Sequence, residues 1–155
     1  MPAGDLVTQN YQMELRATLM GRGADVHFND EGGGVTGLFD DRAEAVETPY
    51  LHASGSFVGG VRQPSRLVVA SLLVVGETED AVGNTVVALR TAWAKDATEP
   101  PPEVALWFQW PGFGKRYVRG HPLGLVVPDF TKALILRRVP VVGEFLLSDP
   151  TIYTP

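Results

Sequence analysis

The sequence RLVVASLLVVG at residues 66–76 is followed by ETEDAVGNTVVALRTAWAK at residues 77–95, and together they indicate how the chain folds. Residues 67–75 form an almost continuous apolar run rich in β-branched valine, which is typical of a strand covered on both faces. The rest predicts a helix of about residues 78–95 with Thr78 as its N-cap. One apolar face follows from the three-to-four spacing of Val82, Val86, Leu89 and Trp93. We therefore expect a buried strand and a helix that packs back on the sheet.

The composition indicates one globular domain over residues 1–155. The chain is 45% hydrophobic and 20% charged with a formal net charge of -5, so it offers no basic surface of the kind that binds nucleic acid. It contains no cysteine, which excludes disulfides, thiolate nucleophiles and zinc–thiolate sites. We see no signal-peptide pattern, and the longest apolar run is about half of a membrane-spanning helix. We expect a soluble protein made in the cytoplasm, without a membrane partner.

The other segments mostly predict strands. Residues 11–19 alternate between apolar and polar, the pattern of a half-buried strand. Residues 29–64 are dense in glycine and acidic residues and predict a long Gly-rich loop at an edge or reaching toward a neighbour. A short strand is expected at 125–127, and residues 132–147 predict a last strand. The sequence thus predicts a mainly β (α+β) domain, with one helix and strands in a barrel or sandwich.

An aromatic hairpin is predicted where residues 104–110 and 115–119 flank a Pro-Gly turn. Its rings, beside basic residues, are able to stack sugars or single-stranded bases. We favour packing on the apolar face of the helix or against another subunit, because the alternation already turns most of these rings inward. The aromatic residues are Trp107, Phe108, Trp110, Phe113 and Tyr117.

The sequence contains little that supports catalysis. His27, His52 and His121 lie far apart, and none has a second ligand at helical or hairpin spacing. The glycine triplet at 32–34 lacks the lysine and the serine or threonine of a phosphate-binding loop. We predict no catalytic, cofactor-binding or metal-binding residues, no cofactor and no enzymatic activity.

The strands carry more apolar surface than one helix can cover. Residues 67–75, 104–110 and 134–147 are apolar on both faces, which indicates either a barrel with a covered exterior or burial between subunits. A symmetric homo-oligomer is the expected outcome. The candidate assembly interface consists of Leu67, Val69, Leu73, Val75, Trp107, Trp110, Phe113, Arg137, Arg138 and Phe145.

Four segments together resemble a known family. They are GDLVTQNYQMELRATLMG at 4–21, the strand and helix at 66–94, VALWFQWPGFGKRYVRGHPLG at 104–124, and VPVVGEFLLSDPTIY at 139–153. In this order the chain resembles the distal tail protein and related minor tail proteins of long-tailed, non-contractile bacteriophages (siphoviruses). The end of the helix at Ala92-Trp93 and the closing strand that runs into Asp149 are the most specific parts.

This resemblance implies a split-barrel-like β domain with one helix, assembled as a six-membered ring at the distal end of the tail tube. Such a ring joins the tube protein on one side to tail-tip or hub proteins on the other and leaves a channel through which DNA passes without specific binding. The protein would be a structural component of the virion, located at the tail tip.

Two alternatives remain open at this stage. One is a tail-tube or other tail-tip ring subunit with a related β-barrel. The other is a small enzyme or ligand-binding domain that uses the aromatic hairpin together with Asp40, Asp41 or His52.

Overall fold

The structure, a computed structural model, describes residues 2–39, 44–49, 56–62 and 65–155. Ten strands, two α-helices and one 3-10 turn follow one another within these ranges. In chain order they are β1 (Gln12–Leu15), β2 (Thr18–Gly21), β3 (Val26–Phe28), the 3-10 turn (Asp30–Gly32), β4 (Val35–Thr36), β5 (Glu44–Pro49), β6 (Ser56–Arg62), β7 (Arg66–Val75), α1 (Glu79–Ala92), β8 (Val104–Trp110), β9 (Gly114–Val126), α2 (Phe130–Ile135) and β10 (Arg138–Tyr153).

An antiparallel sheet of eight strands forms a split barrel. Its order is β2-β1-β8-β9-β10-β7-β3, and β4 also pairs with β7. The sheet curls until its two end strands approach each other, because a Cβ built on Gly21 of β2 would lie 2.6 Å from the Phe28 ring of β3. The predicted fold class, a mainly β split-barrel-like domain with one principal helix, is confirmed. Strands β5 and β6 pair only with each other.

Helix α1 packs against the concave side of the curled sheet. Thr78 caps it as predicted, accepting a hydrogen bond of 3.1 Å from the backbone N–H of Ala81. The predicted apolar face is buried and belongs to the same core as the inner residues of the strands. Its fully buried Trp93 lies against Gly143 of β10. The inner residues of the sheet around it include Met13, Leu15, Val68, Ala70, Leu72, Val74, Leu106, Phe108, Val118, Val139, Val141, Phe145 and Leu147.

The single strand predicted over residues 11–19 is wrong, because two strands and a tight turn occupy that segment. Arg16 and Ala17 both have positive φ, 47° and 59°, and they reverse the chain between β1 and β2. The guanidinium group of Arg16 then donates a hydrogen bond of 2.9 Å to the carbonyl of Ala94 and pairs with Asp96. The turn is thereby attached to the end of α1.

The long Gly-rich loop predicted over residues 29–64 is also wrong in part. The 3-10 turn, β4 and the β5–β6 hairpin all fall within it, since alternation over only six or seven residues is hard to recognise among glycines and acidic residues. Residues 40–43, 50–55 and 63–64 lie outside the described part of the chain, so the predictions for Asp40, Asp41 and His52 are not tested.

The strand predicted over residues 132–147 is replaced at its start by the short helix α2, and β10 begins at Arg138. The short strand expected at 125–127 is the end of β9, which continues through Pro122 and Gly124 with a shift in register against β10. Strands β9 and β10 are long and pair along most of their length. They lie in the middle of the sheet.

Candidate assembly surfaces

The outer surface of the sheet carries an apolar area on β7, β10 and β9. Along β7 the side chains alternate, so that Val68 and Ala70 are buried in the core while Leu67 is 44% exposed and Val69 is half-buried. Register pairs Leu67 with Leu146 and Val69 with Glu144 of β10, and cross-strand pairs in antiparallel sheets share one face. We call this area the outer face. It consists of Leu67, Val69, Val126, Val142, Glu144 and Leu146.

One charge lies in the centre of the outer face. Glu144 points outward, because its chain neighbours Gly143 and Phe145 are both buried on the inner side. Its cross-strand partners are Val69 and Gly124. Within the described residues its carboxylate makes no ion pair. Its nearest neighbours on this face are therefore apolar side chains and a glycine that contributes no side chain, while Thr36, paired with Val69, and His121, paired with Leu146, lie at the margins of the face.

A second apolar surface is a cleft between α1, the end of β9 and α2. It has a volume of about 400 Å³, and Arg90 of α1 is the charged residue among the described residues that line it. The flanking Val87 and Phe130 are 62% and 41% exposed, so apolar area at the cleft is open to water. We call this the helix cleft. It is lined by Val86, Val87, Arg90, Leu125, Val127 and Phe130.

An aromatic row crosses the outer side of β8, β9 and β10. Trp107 and Tyr117 are paired in register with ring centroids 4.5 Å apart, and Tyr117 stacks on Tyr153 at 5.2 Å with 18° between the planes. Arg119 lies over the rings of both tyrosines, with its guanidinium carbon 5.8 Å and 5.3 Å from their centroids. The faces of these rings are directed at one another, which leaves mainly their edges to a ligand and disfavours a platform for sugars or bases.

Asp149 holds one end of this row in place. Its carboxylate accepts hydrogen bonds from the hydroxyl of Tyr153 and, at 2.9 Å, from the backbone N–H of Thr151. Hydrogen bonds from Thr151 and Tyr153 lower the pKa of Asp149 below its ordinary value. The hydrogen bond to Asp149 raises the pKa of Tyr153, because an ionised phenol could no longer donate it. Both groups therefore keep their stabilising charge state across the neutral range.

The N-terminal segment covers the other end of the row, which the sequence does not predict. Glu14 is only 2% exposed, and its two carboxylate oxygens each accept a 2.9 Å hydrogen bond, from the backbone N–H groups of Gly4 and Leu6. Gly4 lies so close to Trp107 that a Cβ on it would be 2.5 Å from the indole ring. Gln12, also 2% exposed, binds the same segment through the N–H groups of residues 8 and 9. Alternation had placed both polar side chains in water.

The structure does not bring the ten predicted interface residues together. The four from β7, which are Leu67, Val69, Leu73 and Val75, lie on the outer side, and their place in an interface stays a prediction. Phe145 is fully buried in the core, so its assignment to an interface is wrong: β10 alternates with Phe145 on the inner side and Glu144 on the outer side.

The remaining predicted residues are distributed over the aromatic hairpin and the start of β10. Trp110 packs on Phe28 and Phe108 at 5.6 Å, and it is therefore partly withdrawn from the surface. Phe113 is 46% exposed and contacts Phe39 at 4.7 Å between centroids. Trp107 belongs to the aromatic row, and Arg137 and Arg138 are exposed beside α2.

No chemical centre is visible in the described residues. Histidine and carboxylate side chains do not come together there in any group of three or more that is suited to hold a metal ion. His27 and His121 are on different strands, and His121 contacts the carbonyl of Pro102 at 3.2 Å. None of the helices within the described ranges has the length and apolar character to cross a membrane.

Comparison with known proteins shows a likeness in structure. The chain matches no protein-family profile and no curated protein. Its structure is similar to that of the Dit protein of phage SPP1, described as a paradigm of the hub adsorption apparatus in phages that infect Gram-positive bacteria. The TM-score is 0.64 at 16% sequence identity, with 95% of this chain and 53% of the SPP1 protein covered. The chain thus spans about half the length of that protein, and the two share a fold.

Proposed function

We propose that the chain is a structural subunit of a phage tail, located at the distal end of the tail. The observation that carries this proposal is the shared fold with the SPP1 Dit protein over 95% of the chain. The segments that resemble distal tail proteins in sequence cover most of that fold, since they include β1, β2, β7, α1, β8 and nearly all of β9 and β10. The sequence resemblance and the shared fold therefore support the same class of protein.

The surfaces of the subunit support an assembly role. Two separate apolar areas, the outer face and the helix cleft, remain open to water in the single chain, and such areas usually mark contacts with other proteins. Polar and charged side chains, by contrast, do not converge in either area as they do in active sites. We infer a structural protein and not an enzyme.

The finer form of the proposal is a closed ring of six copies that joins the tail tube to the tail tip and leaves a channel for DNA. A ring requires each subunit to present two different surfaces, one to each neighbour, and the outer face and the helix cleft meet that requirement. The net charge of -5 is compatible with a channel wall that does not hold phosphate groups.

The test is the position of the chain in the assembled virus. Antibodies against the chain, coupled to gold, should label particles of the phage that encodes it at the tail end remote from the capsid. Electron images of the labelled particles should show a single position. Label along the whole tail would indicate a tube subunit, and particles without label would contradict the structural role.

Native mass spectrometry of complexes released from tails gives the number of copies. Six copies per particle are expected for the ring. A copy number several times larger would contradict a single ring and favour the tube.

A further inference from the structure

Two charged residues of this chain each lie within an apolar surface and have no charged partner there. Glu144 is in the middle of the outer face, and Arg90 is the one charged side chain among the described residues that line the helix cleft. The ion pair seen in the described part of the chain, between Arg16 and Asp96, involves neither of these two residues. If an apolar partner without a compensating charge covered these surfaces, both charges would therefore be buried without an ion-pair partner.

The outer face has room beside Glu144 for a long side chain. Gly124 is its cross-strand partner on β9, and a Cβ built on that glycine would meet no atom within 4 Å. On the other side Val69 is half-buried, and Leu67 and Val126 are 44% and 58% exposed. An arginine from a partner can reach the carboxylate through this gap while its methylene groups contact the surrounding apolar side chains.

The helix cleft carries the opposite charge. Arg90 lies in the last turn of α1, between the exposed Val87 and the end of β9. Its guanidinium group is suited to a carboxylate because two of its N–H groups can bind both oxygens. An incoming surface with one carboxylate among aliphatic side chains fits this cleft, and the outer face of the same chain has that composition.

The two surfaces are on opposite sides of the sheet. Gly143 and Glu144 are consecutive, and Gly143 faces the ring of Trp93 on α1 while Glu144 faces outward. Arg90 belongs to the same helix and so to the inner side. A subunit therefore cannot satisfy its own pair, whereas two copies placed head to tail can, and each copy then keeps one free surface for the next.

We propose that the outer face of one copy binds the helix cleft of the next, with Glu144 paired to Arg90 at the centre of the contact. This inference rests on the proposed function and specifies the surfaces by which the ring closes. The contact is heterologous, so it continues from copy to copy until a ring closes. The ion pair fixes the register of two surfaces that are otherwise apolar, and the apolar residues around it exclude water.

Charge exchange tests the pairing. Glu144→Arg and Arg90→Glu should each weaken self-association in sedimentation velocity by on the order of a hundredfold or more, since each places like charges in the contact. Mixing the two variants, or combining both changes in one chain, should restore association. Glu31→Arg, on the exposed 3-10 turn, is the matched control and should associate like the wild type. The pairing would be overturned if the single variants associated like the wild type, or if the double variant associated no more strongly than the single variants.

Crosslinking tests the same contact even if association is weak. Because the chain contains no native cysteine, only the introduced cysteines can react. Glu144→Cys mixed with Arg90→Cys should give a covalent dimer with a short bismaleimide, and neither variant alone should do so. A mixture that yields no dimer at the highest attainable concentration would refute the contact. Labelling of the tail end with gold does not depend on this result, so the inference can fail while the proposed function stands.

Discussion

The indole ring of Trp93 lies directly on the backbone of Gly143, so that a Cβ on this glycine would come within 2.7 to 2.8 Å of three ring atoms. Trp93 follows the last residue of α1, and Gly143 is in the middle of β10. The contact therefore fixes how close the helix approaches the concave side of the sheet. Both residues are fully covered by the core.

Gly143→Ala should destabilise the protein by about 1–3 kcal/mol, because the added methyl group overpacks the contact with Trp93 and the helix must move away. The free energy of unfolding in urea measures this. The matched control is Gly83→Ala in α1, where a Cβ would meet nothing within 4 Å. That variant should gain about 0.5–1 kcal/mol from the better helix propensity of alanine. Equal effects of the two changes would show that the contact is not tight.

Ala17→Gly should stabilise the protein, in contrast to most substitutions by glycine. Ala17 has φ 59° in the turn between β1 and β2, and a left-handed conformation costs about 1–2 kcal/mol for residues with a Cβ. Relief of this strain should exceed the entropic cost of glycine. Ala88→Gly on the exposed side of α1 is the control and should lose about 1 kcal/mol. Thermal unfolding of both variants shows whether each substitution raises or lowers the stability. A loss of stability in Ala17→Gly would contradict the inference that the backbone is strained at this residue.

Glu14→Gln should loosen the N-terminal segment and destabilise the protein by about 1–3 kcal/mol. The amide replaces one acceptor oxygen by an NH₂ group that faces a backbone N–H, so a buried donor is left without a partner. Hydrogen exchange of the Gly4 and Leu6 amides should accelerate more than that of β7. Glu31→Gln, an exposed acidic residue on the 3-10 turn, should change neither quantity. Unaltered protection of the two amides would show that Glu14 does not hold the segment.

Asp149→Asn should reduce the dependence of stability on pH at the acid end. The pKa of Asp149 is lower in the folded chain than its ordinary value, so the carboxylate contributes stability that is complete above pH ~4 and is lost as the pH falls through the folded pKa. The difference in unfolding free energy between wild type and variant should therefore shrink below pH ~4. Asp25→Asn, an exposed aspartate on another edge of the sheet, serves as the control. A difference that stays constant with pH would contradict the role of the carboxylate.

Tyr153→Phe tests the alkaline side of the same contact. The pKa of Tyr153 is raised by its hydrogen bond to Asp149, so its contribution is complete below the ordinary tyrosine pKa of ~10 and is lost as the pH rises through the higher folded value. The difference in absorbance titration between the wild type and Tyr153→Phe isolates this phenol from the other tyrosines, and it should show that Tyr153 ionises above its ordinary pH. In Asp149→Asn the ionisation of Tyr153 should return toward its ordinary pH, and a titration unaffected by that change would exclude Asp149 as the cause.

Local sequence patterns were enough to predict the parts of the fold that depend on neighbouring residues. Helix α1, its Thr78 cap and its buried face are consequences of spacing and capping within one segment, and the apolar run that forms β7 is equally local. The scarcity of reactive side chains and the surplus of apolar strand surface were also visible in the composition. These features were sufficient to predict a mainly β domain suited to assembly.

Local patterns do not specify which side of each strand is covered, because that depends on segments distant in the chain. Alternation placed Glu14 in water, yet the N-terminal segment returns over β1 and buries it with hydrogen bonds to two backbone N–H groups. Phe145 and Glu144 could have exchanged sides by a shift of one residue, and the register of β10 against β7 settles the choice. That register makes Glu144, and not Phe145, the centre of the outer face.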